Sequence, residues 1–183
     1  VEPNMIINLK SEWLTFEDYK KALKSKYRVK ANKADSKSSI LVSKAFDDQD
    51  IENHKKELQE LYQNTINSAD FNAQILDLNT YTFLKASFSE AFTVIGYFLE
   101  NKLVGFLSAM KNQDNLDAHF IGLDYKKNKE FAIYPRILND YVRLGLETKA
   151  KRINLGRTAS EIKSTKLKSK ELRQRRQSTV TRL

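Results

Sequence analysis

Apolar and polar residues alternate most clearly in the middle of this chain, where they predict a group of β-strands. Two apolar runs rich in β-branched and aromatic residues, 92–99 and 102–110, flank the polar pair Glu100 and Asn101, a pattern typical of a β-hairpin. A further run at 116–125 follows a polar turn. We therefore expect three consecutive strands that form an antiparallel meander.

The residues after this meander predict a crossover back to the sheet. Apolar residues recur at helical spacing after Pro135, which fits the first position of a helix because its missing N–H costs nothing there. Ile153 and Leu155 then alternate with polar neighbours, as in a half-buried strand. The order of three antiparallel strands, a long helix, a strand and a helix predicts an α/β sheet with a crossover connection.

The first ninety residues show mainly helical patterns. Thr15 followed by Asp18 predicts a capped helix that begins near Phe16 and continues to about residue 30. Its many lysines indicate either a solvated face or a surface that binds an anionic substrate. We expect a polar loop at 31–39, a strand at 40–46, a helix that starts at 47–50, and a short helix capped by Asn79.

The residues after the predicted strand at 152–155 suggest a site for an anion. Gly156 permits a tight turn, and Thr158 followed by Glu161 predicts a capping box at the start of a helix. The first amides of a helix have no intrahelical partner and carry partial positive charge, and Arg157 adds a full charge beside them. The alternative is a strand–helix turn whose cap serves stability only.

Composition limits the chemistry and locates the charge. Cysteine is absent, and His54 and His119 are the only histidines, so neither disulfides nor a thiolate metal site is possible and no metal site is predicted. No apolar run approaches the ~20 residues that span a bilayer, and we expect a cytoplasmic protein. Residues 166–183 contain seven basic residues against Glu171 alone, which is +6 of the net charge of +9.

Together, the hairpin, the segment 121–125, the helix that opens with Tyr134 and Pro135, and the segment 153–163 resemble the GNAT (GCN5-related N-acetyltransferase-like) superfamily. The similarity is closest to the branch of Fem-type aminoacyltransferases and uncharacterised bacterial acyltransferases. It implies a mixed, mostly antiparallel sheet flanked by helices within residues 1–165, with a helical part at 1–90 and a sheet core at 91–165. Residues 166–183 would form a basic tail.

The resemblance also implies where the chemistry takes place. In such folds an acyl donor and an amine acceptor meet in a wedge between two splayed strands, which here end at Tyr125 and Leu155. The catalytic candidates are Asp124 as a base and Tyr125 and Tyr134 as proton donors. The candidates for binding the donor are Gly156, Arg157, Thr158, Ser160 and Lys163. Each candidate also has a structural alternative, such as a strand-end cap for Asp124 and rim packing for the tyrosines.

Two departures from the family leave the donor and the end of the sheet open. Acetyl-coenzyme A enzymes of the superfamily usually have a glycine-rich loop after the strand that ends here at Tyr125, but no glycine occurs between Gly122 and Gly145. This departure leaves the donor open between acyl-CoA, an aminoacyl-tRNA, another carrier, and no donor at all. The basic tail has too few apolar residues for two core strands, so we expect a sheet that ends one or two strands short and leaves an open edge.

The leading functional hypothesis is an acyl- or aminoacyltransferase that acts on an amine-bearing substrate, with tRNA or another phosphate-rich molecule as a further partner. The first alternative is a module that binds nucleic acid or an acidic surface through the basic tail. The second is an inactive GNAT-like domain that mediates protein interactions.

Overall fold

The computed structural model describes residues 5–67 and 76–156, which form one mixed sheet with helices on both faces. The strands are β1 (Ile6–Asn8), β2 (Val42–Ala45), β3 (Phe92–Leu99), β4 (Lys102–Asn112), β5 (Asn115–Leu123) and β6 (Arg152–Asn154). The α-helices are α1 (Phe16–Ala22), α2 (Ser25–Lys37), α3 (Asp48–Asn67), α4 (Thr80–Phe88), α5 (Tyr125–Phe131) and α6 (Ile133–Glu147). The strand order is β1-β6-β5-β4-β3-β2, and β5–β6 is the parallel pair in this sheet.

The predicted meander is confirmed, and its first turn explains the register. Glu100 and Asn101 have φ values of 48° and 64°, so both central residues of the β3–β4 turn adopt the left-handed conformation of a hairpin turn whose twist matches the strands. Asn tolerates this conformation better than most residues. β4 and β5 then pair from Asn112–Asn115, beside the next turn, to Gly105–Leu123.

The helix predicted near Phe16 begins with the expected capping box, but it is shorter than expected. Thr15 accepts a hydrogen bond from the Asp18 amide, and the Asp18 side chain accepts one from the Thr15 amide, which is the predicted capping box. The helix ends at Ala22, however, and the loop expected at 31–39 is largely the second half of α2. Ala31 and Ala34 are buried there, so packing of small residues against α6 stabilises a helix in a polar sequence.

Each face of the sheet has its own apolar core. On one face α1, α2 and α6 cover side chains such as Val104 and Leu107. On the other, α3 and α4 cover Leu103 and Phe106. Gly122 permits the close approach of α3, because a Cβ atom at this position would lie 2.7 Å from the backbone carbon of Leu61.

The first described residues change the expected edge of the sheet. β1 pairs antiparallel with β6 through Ile6–Asn154, Ile7–Ile153 and Asn8–Arg152. The outer edge of β6, which the sequence led us to expect open, is therefore covered by the start of the chain. The sequence analysis did not identify this three-residue strand, because so short a segment has no measurable periodicity. No helix within 5–67 and 76–156 is both long and apolar enough to cross a membrane.

Candidate active site at the open end of the sheet

The parallel strands β5 and β6 part soon after they meet. Their pairing is limited to Asn115–Arg152, Leu116–Ile153 and Asp117–Asn154. Beyond this point the chain follows β1 instead: the Leu155 amide donates to the Met5 carbonyl at 2.8 Å, and the Met5 amide donates to the Gly156 carbonyl at 3.2 Å. In the part of the chain that the structure describes, β5 therefore continues from 118 to 123 without a β6 partner, and a wedge opens beside it.

A β-bulge in β5 lies at the side of this wedge. Leu107 pairs with Ile121, whereas Ala109 pairs with Ala118, so Ser108 stands opposite two residues of β5. Its hydroxyl oxygen accepts a hydrogen bond from the Phe120 amide at 3.0 Å and donates one to the Phe120 carbonyl at 3.1 Å. The Ser108 side chain therefore satisfies backbone groups that the bulge removes from the strand ladder.

Two tyrosines hold this bulge from opposite faces of the sheet. The Tyr81 hydroxyl lies 2.7 Å from the Ser108 hydroxyl, and the Tyr141 hydroxyl donates to the Ser108 carbonyl at 3.0 Å. Burial raises the pKa of both tyrosines well above the ordinary value, so both remain neutral donors. The sequence analysis missed this cluster, although a serine inside an otherwise apolar strand was a possible indication.

Asp124 and Tyr125 lie where β5 ends, as the sequence predicted. One oxygen of the Asp124 carboxylate, Oδ1, accepts hydrogen bonds from the amides of Lys126 at 3.0 Å and Lys127 at 3.3 Å, which caps α5. The structural alternative for Asp124, a strand-end cap, is thus realised, and its role as a base stays a prediction. Tyr125 is the first residue of α5 and is 44% exposed.

Tyr134 lies at the same end of the sheet. It is the second residue of α6, and the preceding Ile133 packs over Gly105, which pairs with Leu123 at the end of β5. The Tyr134 amide donates to the Asn128 side chain at 2.8 Å. The residue is only 8% exposed, and its hydroxyl is the one buried side-chain polar atom without a hydrogen-bond partner among the described residues.

The environment of the Tyr134 hydroxyl favours a proton donor. Burial, with a smaller contribution from the nearby Tyr125, raises the pKa of Tyr134 above the ordinary value. The group is therefore protonated at neutral pH and can donate a hydrogen bond to an oxygen that enters the site. An unsatisfied buried hydroxyl costs free energy, so the catalytic role of Tyr134 stays a prediction that this environment permits.

The predicted anion site is only partly within the described residues. Gly156 has φ +69°, a conformation that glycine adopts readily, and the residues that would complete the predicted turn lie outside the described part of the chain. The Gly156 amide donates to the Asn154 side chain at 3.1 Å, so this amide already has a partner. Arg157, Thr158, Ser160 and Lys163 lie outside the described residues, as does the basic tail, and their donor-binding role stays a prediction. A search of the described segments finds no cluster of three or more potential metal ligands.

Comparisons with solved structures identify the class of fold. FemX matches with a TM-score of 0.67 and 9% identity over 91% of this chain and 58% of that one. A conserved protein of unknown function from Bacteroides thetaiotaomicron VPI-5482 matches with a TM-score of 0.60 and 14% identity, over 97% of this chain and 55% of that one. This chain thus spans little more than half the length of these two proteins.

A third solved structure is matched over a larger share of its own length. An aminoglycoside acetyltransferase from an uncultured soil metagenomic sample, solved in complex with sisomicin, matches with a TM-score of 0.55 and 15% identity, over 72% of this chain and 90% of that one. No protein-family model matches the sequence, and no curated protein sequence matches it. The fold is GNAT-like, as the sequence resemblance implied.

Proposed function

We propose that this chain transfers an acyl or aminoacyl group to an amine-bearing acceptor. The observation that carries the proposal is the buried hydroxyl of Tyr134, which has no hydrogen-bond partner among the described residues and belongs to a residue beside the end of β5. The GNAT-like fold supports the same reaction class, since FemX and an aminoglycoside acetyltransferase share it. Fold similarity alone does not fix chemistry, so the argument depends on these side chains.

The proposed reaction assigns a role to each group. The acceptor nitrogen attacks the carbonyl carbon of the donor, a C–N bond forms, and the bond from that carbon to the carrier breaks. The Tyr134 hydroxyl donates to the oxyanion that develops on the carbonyl oxygen. Asp124 keeps its second oxygen, Oδ2, outside the helix cap, and this oxygen takes the proton of the amine. Tyr125 is the candidate that returns a proton to the leaving group.

The helix cap bears on the choice of donor. Asp124 already accepts hydrogen bonds from the first amides of α5, the groups that would otherwise be available to a phosphate. A pyrophosphate at this position would have to displace a carboxylate. This arrangement favours aminoacyl-tRNA or another carrier over acyl-CoA as the donor, and it is also the observation that favours a GNAT-like domain without activity.

The test measures donor binding and transfer separately. Acetyl-CoA and an aminoacyl-tRNA are each titrated against the full chain, and thermal unfolding is followed; a donor at a hundred times its dissociation constant adds about 2.7 kcal/mol of stability. Tyr134→Phe should leave donor binding in place and lower the rate of transfer to an amine about 100-fold or more. Arg157→Ala tests the predicted anion site and should weaken donor binding.

The matched control is Tyr125→Phe, which removes an exposed hydroxyl from the same end of the sheet and should lower transfer less than Tyr134→Phe does. If neither donor stabilises the protein, the interaction-domain alternative replaces the transferase. If a donor binds and Tyr134→Phe transfers at the wild-type rate, the role of Tyr134 is wrong.

A further inference from the structure

Helix α2 carries a concentration of positive charge that the fold does not neutralise. The segment 24–37 contains six basic residues and one acidic residue, Asp35. Asp35 is taken by α6, since Arg143 Nη2 donates to it at 2.6 Å. Within the described residues none of the six forms an ion pair; they are Lys24, Lys26, Arg28, Lys30, Lys33 and Lys37.

Four of these lysines form a row along one flank of the helix. Lys26, Lys30, Lys33 and Lys37 follow each other at spacings of four, three and four residues, and all are exposed. This spacing places them on one side of the helix over a length of about 16 Å. We call these four residues the lysine row. The buried side of α2, formed by Tyr27, Ala31 and Ala34, lies to the side of the row.

Exposed aliphatic side chains accompany the lysine row. Val29 lies one turn along from Lys26 and is 59% exposed, and Ile40, just beyond the helix, is 58% exposed. Isolated exposed aliphatics are common, but these two stand beside a row of unpaired lysines. This face of α2 contains neither an arginine fork nor an exposed aromatic ring, the groups that characterise nucleic-acid contacts.

The helix that carries the lysine row, α2, contacts α5, the helix at the end of β5. Asp35 marks the opposite flank of α2, which faces Arg143 in the second half of α6. The lysine row lies on the flank away from Asp35, and α5 follows β5 directly. α5 adds three exposed lysines, Lys126, Lys127 and Lys129. Two helices that contact each other, about a hundred residues apart in the sequence, thus each carry exposed lysines.

We propose that the lysine row of α2, with Val29 and Ile40, docks the protein on a bilayer that contains acidic phospholipids. The ammonium groups meet the negative headgroups, and the aliphatic side chains enter the boundary between headgroups and acyl chains. Docking through α2 brings the adjoining helix α5 toward the lipid headgroups. The proposal does not depend on catalysis, so it is tested without any assay of transfer.

The test measures the partition of the full chain onto vesicles of phosphatidylcholine with 30% phosphatidylglycerol, as about that content gives a strongly negative surface. The variant Lys26→Gln/Lys30→Gln/Lys33→Gln/Lys37→Gln should bind at least tenfold more weakly, since each lysine near an acidic bilayer contributes roughly a fivefold gain. The matched control replaces Lys10, Lys111, Lys149 and Lys151 by Gln. These residues lie at the other end of the sheet, around the β4–β5 turn, and the control should bind nearly as the wild type.

A second comparison distinguishes lipid from nucleic acid. Val29→Ser/Ile40→Ser should lower vesicle binding at high salt, where the electrostatic contribution is screened, and should leave binding to a single-stranded RNA homopolymer unchanged. Equal losses in the two lysine variants would overturn the proposal in favour of general charge attraction. A row variant that loses RNA binding but keeps vesicle binding would also overturn it, because the surface would then bind a polynucleotide.

Discussion

The first turn of α6 and its middle are both buried against the sheet, but they differ in how their hydroxyl groups are satisfied. Tyr134 and Tyr141 lie two turns apart on the same side of the helix. The Tyr141 hydroxyl donates to the Ser108 carbonyl, whereas the Tyr134 hydroxyl has no partner among the described residues. The same residue type in the same helix therefore serves the fold in one place and remains available to a ligand in the other.

The middle of α6 shows how completely this protein satisfies polar groups where only stability matters. Asp140 accepts hydrogen bonds from Tyr97 at 2.8 Å, from Arg136 at 2.8 Å and from Arg143 at 2.6 Å. Burial, assisted by the charge of Asp140, raises the pKa of Tyr97 well above the ordinary value. Arg143 continues to Asp35 and so joins α6 to α2. Against this background the Tyr134 hydroxyl, one to two turns away, is the exception among the described residues.

The largest expected effect is a loss of stability on breaking the hydrogen-bond network around Asp140. Asp140→Ala leaves Arg136, Arg143 and Tyr97 without their acceptor in a buried setting and should lower the free energy of unfolding by about 3 kcal/mol, as measured by urea denaturation. The matched control is Asp114→Ala, which removes an exposed ion pair with Lys151 and should cost less than about 1 kcal/mol. Similar losses of unfolding free energy in the two variants would show that the buried network contributes no more to stability than an exposed ion pair.

A smaller effect on the free energy of unfolding should distinguish Tyr141 from Tyr134. Tyr141→Phe removes a satisfied donor and should lower the free energy of unfolding by about 1–2 kcal/mol. Tyr134→Phe removes a hydroxyl that has no partner, so it should be neutral or slightly stabilising. Both values come from the same denaturation experiment on otherwise identical proteins. A loss at Tyr134 as large as that at Tyr141 would mean that the Tyr134 hydroxyl is bonded within the fold.

The smallest effect concerns His119, which lies at the bulge with its Nδ1 3.5 Å from the Ser108 hydroxyl. Burial lowers the pKa of His119 below the ordinary value. As the pH falls, His119 therefore binds a proton in the unfolded chain before it does so in the folded protein. The contribution of His119 to stability is complete above the ordinary pKa of about 6.5. It is lost as the pH falls toward the pKa of His119 in the folded protein.

The expected change between pH 7 and pH 5 is small, below about 1 kcal/mol, because His119 is exposed and solvent screens the effect. Urea denaturation at both pH values measures it, and His119→Gln should be less sensitive to pH over this range. An unchanged pH dependence in His119→Gln would assign the effect to other groups.

The sequence predicted the elements that are determined by residues close to one another along the chain. The hairpin at Glu100 and Asn101, the capping box at Thr15 and the stripe of α6 each depend on neighbours within a few residues, so pattern and turn chemistry were sufficient. The same patterns predicted the order of the elements from β3 onward, and the resemblance to GNAT proteins implied the wedge. It also placed Asp124, Tyr125 and Tyr134 at one end of the sheet, where the structure has them.

The errors and omissions share a different cause. Residues 31–37 are polar enough to resemble a loop, and only burial of Ala31 and Ala34 against α6 makes them helical. β1 is too short to recognise without its partner β6. Propensity is a weak preference that tertiary contacts readily override, so such segments cannot be assigned from their own residues.

By itself, then, the sequence determined the periodic elements, the turns and the absence of cysteine chemistry, because these depend on neighbours along the chain. Only the tertiary structure decided which polar groups have partners: Ser108 closes a bulge, Asp124 caps a helix, and Tyr134 remains unsatisfied. It likewise brought α2 into contact with α5. Hydrogen bonding and charge pairing depend on distances of a few ångströms between residues far apart in sequence, and only folding fixes those distances.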